Sequence, residues 1–300
     1  MKKILLATTL LAASTGFAAA EVAVSGTARM GIVYDGTDFA YSSRVRVKFD
    51  LTGETDGGLA FGASVRNDQF SGNGAVTVDQ TDPGLDGILG TADDILGTQT
   101  LGSTGTTNGD STVFISGAFG KLTMGDVSGA GDKLVGQTSG VGYGPNDGAH
   151  EIGFLGNQKT AAYYEYSTGA LTFGLGAGQV GSDDFSVGAK YSADTFAVAI
   201  AFEDDGVETQ TSILGSVTFG AATVKAKAVD NSAAVDTAFS VSVDYVIDAL
   251  KVTAVYTDFG PTDIIGLGAA YDLGGGAAVK AGILDDGIDT IGDVGLTFTF

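Results

Sequence analysis

The sequence has no cysteine and no tryptophan, and it has one histidine and three prolines among its 300 residues. Without cysteine there can be no disulfide framework, thiolate metal site or cysteine nucleophile. Basic residues are also scarce, because 15 Lys and Arg stand against 36 Asp and Glu and give a formal charge of −21. This balance excludes electrostatic binding to nucleic acid and argues against docking on anionic lipid headgroups through a polybasic patch.

Long apolar runs are missing as well. A helical membrane protein needs runs of about 18 or more apolar residues, and the sequence contains none. Hydrophobic residues nevertheless make up 44% of the chain, and glycine contributes 48 residues, about twice the usual share of ~7%. With so little proline, this composition is neither collagen-like nor that of a disordered tail.

The first 20 residues have the pattern of a secretory signal peptide. They begin with Lys2 and Lys3, continue with a short apolar stretch, and end in three alanines at Ala18–Ala20. This order of charged, apolar and small residues is typical of a signal peptide, whereas an N-terminal core helix is the plainer alternative. We therefore expect export across a bacterial inner membrane and a mature chain of residues 21–300.

From Glu21 onward, the main signal is an alternation of apolar with polar or small residues, which is typical of β-strands. Residues 195–203, for example, set Phe196 and Val198 on one face and Ala197 and Glu203 on the other. The same reading predicts sixteen strands, at about 22–34, 41–52, 59–67, 111–118, 120–126, 160–167, 170–179, 185–192, 195–203, 209–219, 222–229, 237–246, 250–256, 262–271, 277–284 and 290–300.

The arrangement of these strands favours a closed membrane barrel. Most have about the 9–11 residues that a tilted strand needs to cross a bilayer, and short connections alternate with longer acidic ones. A soluble β-sandwich has only about seven to nine strands per unit, and no linker divides this chain into such units. The chain also ends in alternating apolar residues up to Phe300, as in outer-membrane barrels. We predict an all-β fold, a 16-stranded antiparallel transmembrane β-barrel spanning residues 21–300.

Several stretches resemble the trimeric general diffusion porins of the Rhodobacter type. They are residues 25–31, 41–46, 58–64, 116–121 with 124–126, and 266–276. The resemblance covers both ends of the mature chain and its first five strands, and covers the middle mainly by pattern. It implies a homotrimer, passive diffusion through each subunit, and a third external loop that folds into the lumen and forms the constriction.

All four arginines lie within a short part of the chain, at Arg29, Arg44, Arg46 and Arg66. The alternation puts each on a polar face, together with Lys48. We predict that three neighbouring strands direct this cationic cluster into the pore, where water or anions screen the repulsion between the charges. Scattered surface arginines are the alternative, although they would not explain why every arginine is confined to this region.

The opposite charge is expected from the third external loop, about residues 127–158. The loop is rich in glycine and carries Asp132, Asp147 and Glu151. Its length is far above the usual 4–6 residues, which points to a functional loop. Opposed charges across a narrow opening would create a transverse field in which polar solutes align their dipoles.

The second external loop, about residues 68–110, is a candidate calcium site. Asp82, Asp86, Asp93 and Asp94 lie close together between glycines, as suits the flexible oxygen ligands of Ca²⁺. Their spacing is not that of an EF-hand, and a solvated acidic loop is the plainer alternative. No cofactor is required.

The sequence does not predict an enzyme. His150 is the only histidine, and the chain has no G-x-S-x-G motif for a Ser-His-Asp hydrolase. We predict a homotrimeric, water-filled channel in the lipid of a Gram-negative outer membrane, through which small hydrophilic solutes and ions diffuse passively. The alternative is a substrate-specific outer-membrane channel on the same barrel, which would carry stacked aromatic residues along its lumen.

Overall fold

The structure is a computed structural model that describes residues 21–71, 75–82, 95–102, 105–144, 148–155, 161–260, 262–285 and 287–300. The predicted signal peptide lies outside the described residues. Nearly all regular structure in the described chain is β-strand, with one short π-helical turn at Gly131–Val135. Among these residues, no helix is long and apolar enough to cross a membrane.

The described residues form eighteen strands. They are β1 (Glu21–Tyr34), β2 (Phe39–Glu54), β3 (Ala60–Ser71), β4 (Ala75–Asp82), β5 (Ile95–Gly102), β6 (Gly105–Gly117), β7 (Gly120–Gly125), β8 (Ala161–Thr168), β9 (Leu171–Ala177), β10 (Phe185–Ser192), β11 (Phe196–Asp204), β12 (Thr209–Phe219), β13 (Ala222–Asn231), β14 (Ala238–Ile247), β15 (Leu250–Asp258), β16 (Asp263–Gly274), β17 (Ala277–Asp285) and β18 (Thr290–Thr299).

Sixteen of these strands close into one antiparallel barrel. Each strand pairs with its neighbour along the chain, except that β3 pairs with β6 and β1 pairs with β18 to close the sheet. Strands β4 and β5 form a separate two-stranded sheet inside the connection between β3 and β6. The predicted barrel of sixteen antiparallel strands is confirmed.

The largest departure from the prediction lies in the region treated as the second external loop. Strand β3 continues to Ser71, beyond the predicted end at residue 67, and β6 already begins at Gly105. The extension begins with Asp68, a residue type that is depleted in strands, yet Asp68 pairs with Thr107 of β6. The β4–β5 hairpin was not predicted either, because its short alternation stands among glycines and acidic residues that indicate a loop.

The two faces of the closed sheet differ in polarity, as the alternation predicts. On β11, Phe196 and Ile200 are 46% and 49% exposed, whereas Ala201 and Glu203 of the opposite face are each 1% exposed. Exposed large apolar side chains recur in this way on most of the barrel strands. This apolar face is the one that suits contact with lipid, and the polar side chains gather on the other face.

The longer connections use their aspartates to fold tight turns. Asp205 accepts hydrogen bonds from the backbone N–H groups of Val207 and Glu208, at 2.9 and 2.8 Å. Asp35 does the same for Thr37 and Asp38. These backbone hydrogen bonds stabilise the ionised carboxylates and lower the pKa of both Asp35 and Asp205. Part of the negative charge at this rim is therefore used to form the turns.

The connection between β7 and β8 packs against the polar face of the sheet over most of its described length. Its first half, with Leu134 and Val135, joins a buried apolar cluster with alanines of β11. Further along, Val141 packs against Val255 and Leu284 of β15 and β17. We call the part comprising residues 127–144 and 148–155 the internal segment, because many of its side chains, such as Leu134 and Val141, are buried against these strands.

Hydroxyl groups of the sheet hold the middle of the internal segment. Ser240 lies 2.7 Å from the hydroxyl of Thr138, and the Ser139 backbone N–H donates to the Ser242 hydroxyl at 2.9 Å. The Ser139 hydroxyl in turn donates to Asp244 at 2.5 Å. These groups are buried, so each hydrogen bond offsets the cost of removing a polar group from water.

Glycines of the sheet allow the internal segment to approach closely. A Cβ atom added at Gly268 would lie 2.9 Å from Cβ of Val141 and 3.0 Å from its Cα. A Cβ at Gly282 would overlap the backbone of Gly142. At these glycines of the polar face, the internal segment therefore fills the space that a side chain would need. This close approach explains part of the high glycine content.

We predict that Gly268→Ala destabilises the barrel because the new methyl group overlaps Val141. Overpacking of this kind typically costs about 1–3 kcal/mol. The readout is the midpoint of thermal unfolding in detergent, followed by the heat-dependent change in electrophoretic mobility.

The matched control is Gly215→Ala, since Gly215 also lies in a strand and a Cβ there would meet nothing within 4 Å. We expect Gly215→Ala to leave the midpoint unchanged or to raise it slightly. Equal effects of the two substitutions would contradict the packing of Val141 against Gly268.

Candidate functional site

The arginines predicted to form a cluster do lie side by side on β1, β2 and β3. Arg29 of β1 is directly opposite Arg44 of β2, and Lys48 of β2 is directly opposite Arg66 of β3. Directly opposite residues of an antiparallel pair project from the same face. The three strands therefore present their cationic side chains together, and Arg46 belongs to the same face of β2.

Asp68 connects two of these arginines and was missed by the sequence analysis. Its carboxylate accepts hydrogen bonds from Nε and Nη2 of Arg46, the closest at 2.8 Å, and from Nε of Arg66 at 3.1 Å. Asp68 is directly opposite Arg46 and only 8% exposed. Asp68 could have been found from its position two residues after Arg66. This spacing puts both side chains on the same face once β3 extends past residue 67.

Lys48 differs from the arginines. Its Nζ forms an ion pair with Asp50 two residues further along β2, at 2.8 Å, and both side chains are partly exposed. Exposed pairs of this kind contribute little to stability. Lys48 shares the polar face with the arginine cluster but does not line the cavity described next.

A cavity of about 870 Å³ is lined both by the arginines and by residues of the internal segment. Its wall includes Arg29, Arg44, Arg46 and Arg66 on the side of the strands, and Asp132 and Glu151 on the side of the segment. The structure thus brings six of the eight candidate pore residues around one space. Asp147 lies outside the described residues.

Tyr143 connects the internal segment to the arginine side of this cavity. Its ring lies over Gly31 and Gly295, which face each other across β1 and β18, and a Cβ at either glycine would lie 2.9 Å from the ring. The Tyr143 backbone N–H donates to Asp293 at 2.9 Å, and the Arg29 guanidinium lies 5.9 Å from the centre of the ring. Burial raises the pKa of the Tyr143 hydroxyl.

The sequence analysis gave no reason to single out Tyr143, because the alternation that places side chains on a strand does not apply to a loop. Only the fold shows that the ring is held in place by the two glycines and by Asp293.

Lys227 of β13 joins the middle of the internal segment to its last residues. Its Nζ donates to Oε1 of Gln137 and to the backbone oxygen of Ile152, both at 2.8 Å. The same Nζ lies 3.8 Å from the centre of the Phe154 ring, within the range of a cation–π contact. The partners described for this ammonium group therefore all belong to the internal segment.

His150 lies in the internal segment and is fully buried. Its backbone oxygen accepts a hydrogen bond from the Thr257 hydroxyl at 2.9 Å, so the residue takes part in fixing the segment to β15.

The candidate calcium ligands fall around the β4–β5 hairpin. Asp82 is the last residue of β4, whereas Asp86, Asp93 and Asp94 lie outside the described residues. Within the described ranges, no group of three or more acidic or histidine side chains is arranged to hold a metal ion. The calcium site in this loop stays a prediction.

Comparisons with known proteins agree with this architecture. A family model described as "Gram-negative porin" matches residues 7–287. A porin of Rhodobacter capsulatus is 33% identical, over 93% of this chain and the full length of that protein. A porin of Fuscovulum blasticum is 28% identical, over 84% of this chain and its own full length.

Solved structures give the same result. A porin structure refined at 1.8 Å resolution has a TM-score of 0.71 and 31% identity, over 93% of this chain and all of its own. A mutant of Rh. blastica porin matches with a TM-score of 0.73 at 21% identity and the same coverage, which supports the fold alone. The chain therefore belongs to the Gram-negative porins, multi-pass outer-membrane channels for passive diffusion, and is not an enzyme.

Proposed function

We propose that the cavity between the arginine cluster and the internal segment is the constriction of a water-filled pore for small hydrophilic solutes and ions. The observation that carries this proposal is the opposition of charge across the cavity. Arginines of β1–β3 and Lys280 of β17 line it from the sheet, and Asp132 and Glu151 line it from the internal segment. Charges fixed in this way create a transverse field that polar solutes can follow, whereas apolar solutes have to displace ordered water.

In this proposal the internal segment lies inside the barrel and narrows it. Its contacts with buried polar side chains such as Ser240 and Asp244 support this position, because the opposite face of the same strands is apolar and exposed. The lining of the cavity favours a general pore over a substrate-specific channel, since it is mostly charged, polar or small.

Single-channel recording in planar bilayers tests the proposal. A general pore gives a conductance that rises with solute concentration without saturating, and it admits small sugars in a liposome swelling assay according to size. Saturation by one solute at low concentration would favour a substrate-specific channel instead. Absence of channels from a correctly folded barrel would contradict the pore itself.

Replacing Arg44 and Arg46 by alanine tests the arginine side of the constriction. We expect a larger conductance and a shift toward cations, because the remaining carboxylates then dominate the field. The shift in permeability ratio should be roughly fivefold, the effect of about 1 kcal/mol between unit charges a few Å apart in water. Reversal potentials in a salt gradient measure it, and unchanged potentials would show that these side chains do not control the constriction.

Asp68→Asn should move the selectivity in the opposite direction. The substitution removes the carboxylate that pairs with Arg46 and Arg66, so their charges act more strongly on passing anions. Asp50→Asn is the matched control, because it removes a carboxylate from the same face but one paired with Lys48. A shift toward cations in Asp68→Asn, or equal shifts in both variants, would contradict this role of Asp68.

We further propose that residues 1–20 are removed as a signal peptide and that the mature chain assembles as a homotrimer. The assembly proposal rests on the kinship with porins that the sequence motifs imply. The β4–β5 hairpin forms a sheet separate from the barrel, and we propose that it contacts a neighbouring subunit. Mass measurement of the outer-membrane protein tests the cleavage, and cross-linking in detergent tests the trimer.

We also propose that Ca²⁺ binds at the end of this hairpin. Asp82 is paired with Ile95 at the end of the β4–β5 ladder, and Asp94 directly precedes Ile95 in the sequence. Acidic rims brought together in a trimer repel one another, and salt at a Debye length of about 8 Å screens only part of that repulsion. A divalent cation bound between carboxylates would therefore stabilise the assembly.

We expect Ca²⁺ to raise the temperature at which the trimer dissociates in detergent, relative to chelator. Asp93→Asn with Asp94→Asn should abolish most of this difference. The matched control is Asp183→Asn with Asp236→Asn, which removes two exposed carboxylates from other connections. If the native trimer dissociates at the same temperature with Ca²⁺ and with chelator, the proposed Ca²⁺ binding is wrong. Equal Ca²⁺ effects on this temperature in both variants would exclude a site at the hairpin.

A further inference from the structure

A second, smaller cavity lies beside the proposed constriction, and the proposed pore function does not account for it. It has a volume of about 180 Å³ and is bounded by Lys251, Lys280, Thr253 and small residues of β16, with Gly140–Gly142 of the internal segment on the other side. Lys280 also lines the larger cavity, so the two spaces share a wall. The two cavities are therefore direct neighbours.

The strand register brings the two lysines toward the same space. Lys251 of β15 and Lys280 of β17 are both directly opposite Ala270 of β16, so all three residues share one face in one row. The side chain of Ala270 is short and leaves room between the two lysines. Two ammonium groups on either side of such a gap repel each other unless an anion lies between them.

The charge of this site is only partly balanced by the protein. Lys251 lies 3.5 Å from Asp244, but that carboxylate also accepts hydrogen bonds from Ser139 at 2.5 Å and Thr253 at 2.6 Å. Lys251 remains 45% exposed. Lys280 forms no ion pair with any described residue. The site thus keeps a net positive charge.

The size and charge of the cavity select the class of ligand. Pockets for drug-sized molecules measure about 300–1,000 Å³, so a cavity of 180 Å³ suits a smaller molecule. Lysine binds phosphate as a point charge without the planar geometry that arginine demands. An anion with two negative charges on a compact tetrahedral group can face both ammonium groups at once.

We propose that Lys251 and Lys280 form a binding subsite for a small phosphate dianion, either inorganic phosphate or the phosphate group of a monoester, next to the constriction. This proposal rests on the proposed pore function and extends it. Binding at the subsite would hold one class of solute for longer in a channel that otherwise passes solutes by size and charge. The subsite is separate from the arginine cluster, since Lys251 does not line the larger cavity.

The experiment measures chloride current through single channels while inorganic phosphate is added at constant ionic strength. We expect a block that saturates with phosphate concentration. Lys251→Gln should raise the half-blocking concentration by about tenfold or more, the typical worth of one charge-assisted hydrogen bond. Glutamine keeps the polar contact with Asp244 while removing the charge.

Lys190→Gln is the matched control, because Lys190 lies on the polar face of β10 and lines neither cavity. It should leave the half-blocking concentration within twofold of the native value. Glycerol phosphate as a second blocker separates free phosphate from a monoester, and acetate, a monoanion, should not block at all.

Three results would overturn the subsite. The first is a phosphate block that never saturates, and the second is an equal effect of Lys251→Gln and Lys190→Gln on the half-blocking concentration. The third is a loss of block in Lys280→Gln but not in Lys251→Gln, because phosphate would then bind in the larger cavity. If the folded chain forms no channels, the proposed pore fails instead. Stabilisation of the native barrel by phosphate against thermal unfolding gives a readout without current, and Lys251→Gln should abolish it.

Discussion

A chain that crosses a bilayer with strands has to pair every backbone N–H and C=O with another strand, because hydrocarbon offers no water in their place. The pairing of β1 with β18 meets this requirement by removing both edges of the sheet. At its end, Gly26 and Phe300 exchange two backbone hydrogen bonds of 3.3 and 2.9 Å. Once the sheet is closed, one face must be apolar toward lipid, so the polar side chains can only collect on the face that is enclosed.

This enclosed face is then divided between two uses. Strands β8 and β10–β17 supply hydroxyls, glycines and small apolar residues on which the internal segment rests, such as Ser240, Gly268 and Ala201. Strands β2 and β3 carry arginines instead. In the proposed pore, the internal segment narrows the barrel and the cavity beside the arginines stays open. Tyr143, seated between β1 and β18, marks the boundary between the two.

The sequence predicts those parts of the structure in which apolar and polar residues alternate regularly. The strand number and the shared face of Arg44 and Arg46 follow from a period of two, which barrel strands obey strictly because each residue faces either lipid or the interior. Asp68 could have been found by the same rule and was missed only because the predicted strand ended at residue 67, directly before it, whereas β3 continues to Ser71. The contacts of Tyr143 and the Val141–Gly268 packing have no such rule, since they join residues far apart in sequence through a loop without period.

The arginine cluster shows that the stability of the barrel alone does not explain why these positions carry arginine. Arg29 and Arg44 are like charges directly opposite each other, an arrangement that destabilises a strand pair. Asp68 relieves the repulsion at Arg46 and Arg66 but is not directly opposite the first pair. Replacing the arginines by neutral polar residues would remove the repulsion without disturbing the alternation. Their concentration around one cavity is therefore better explained by the field that they exert on what passes through it.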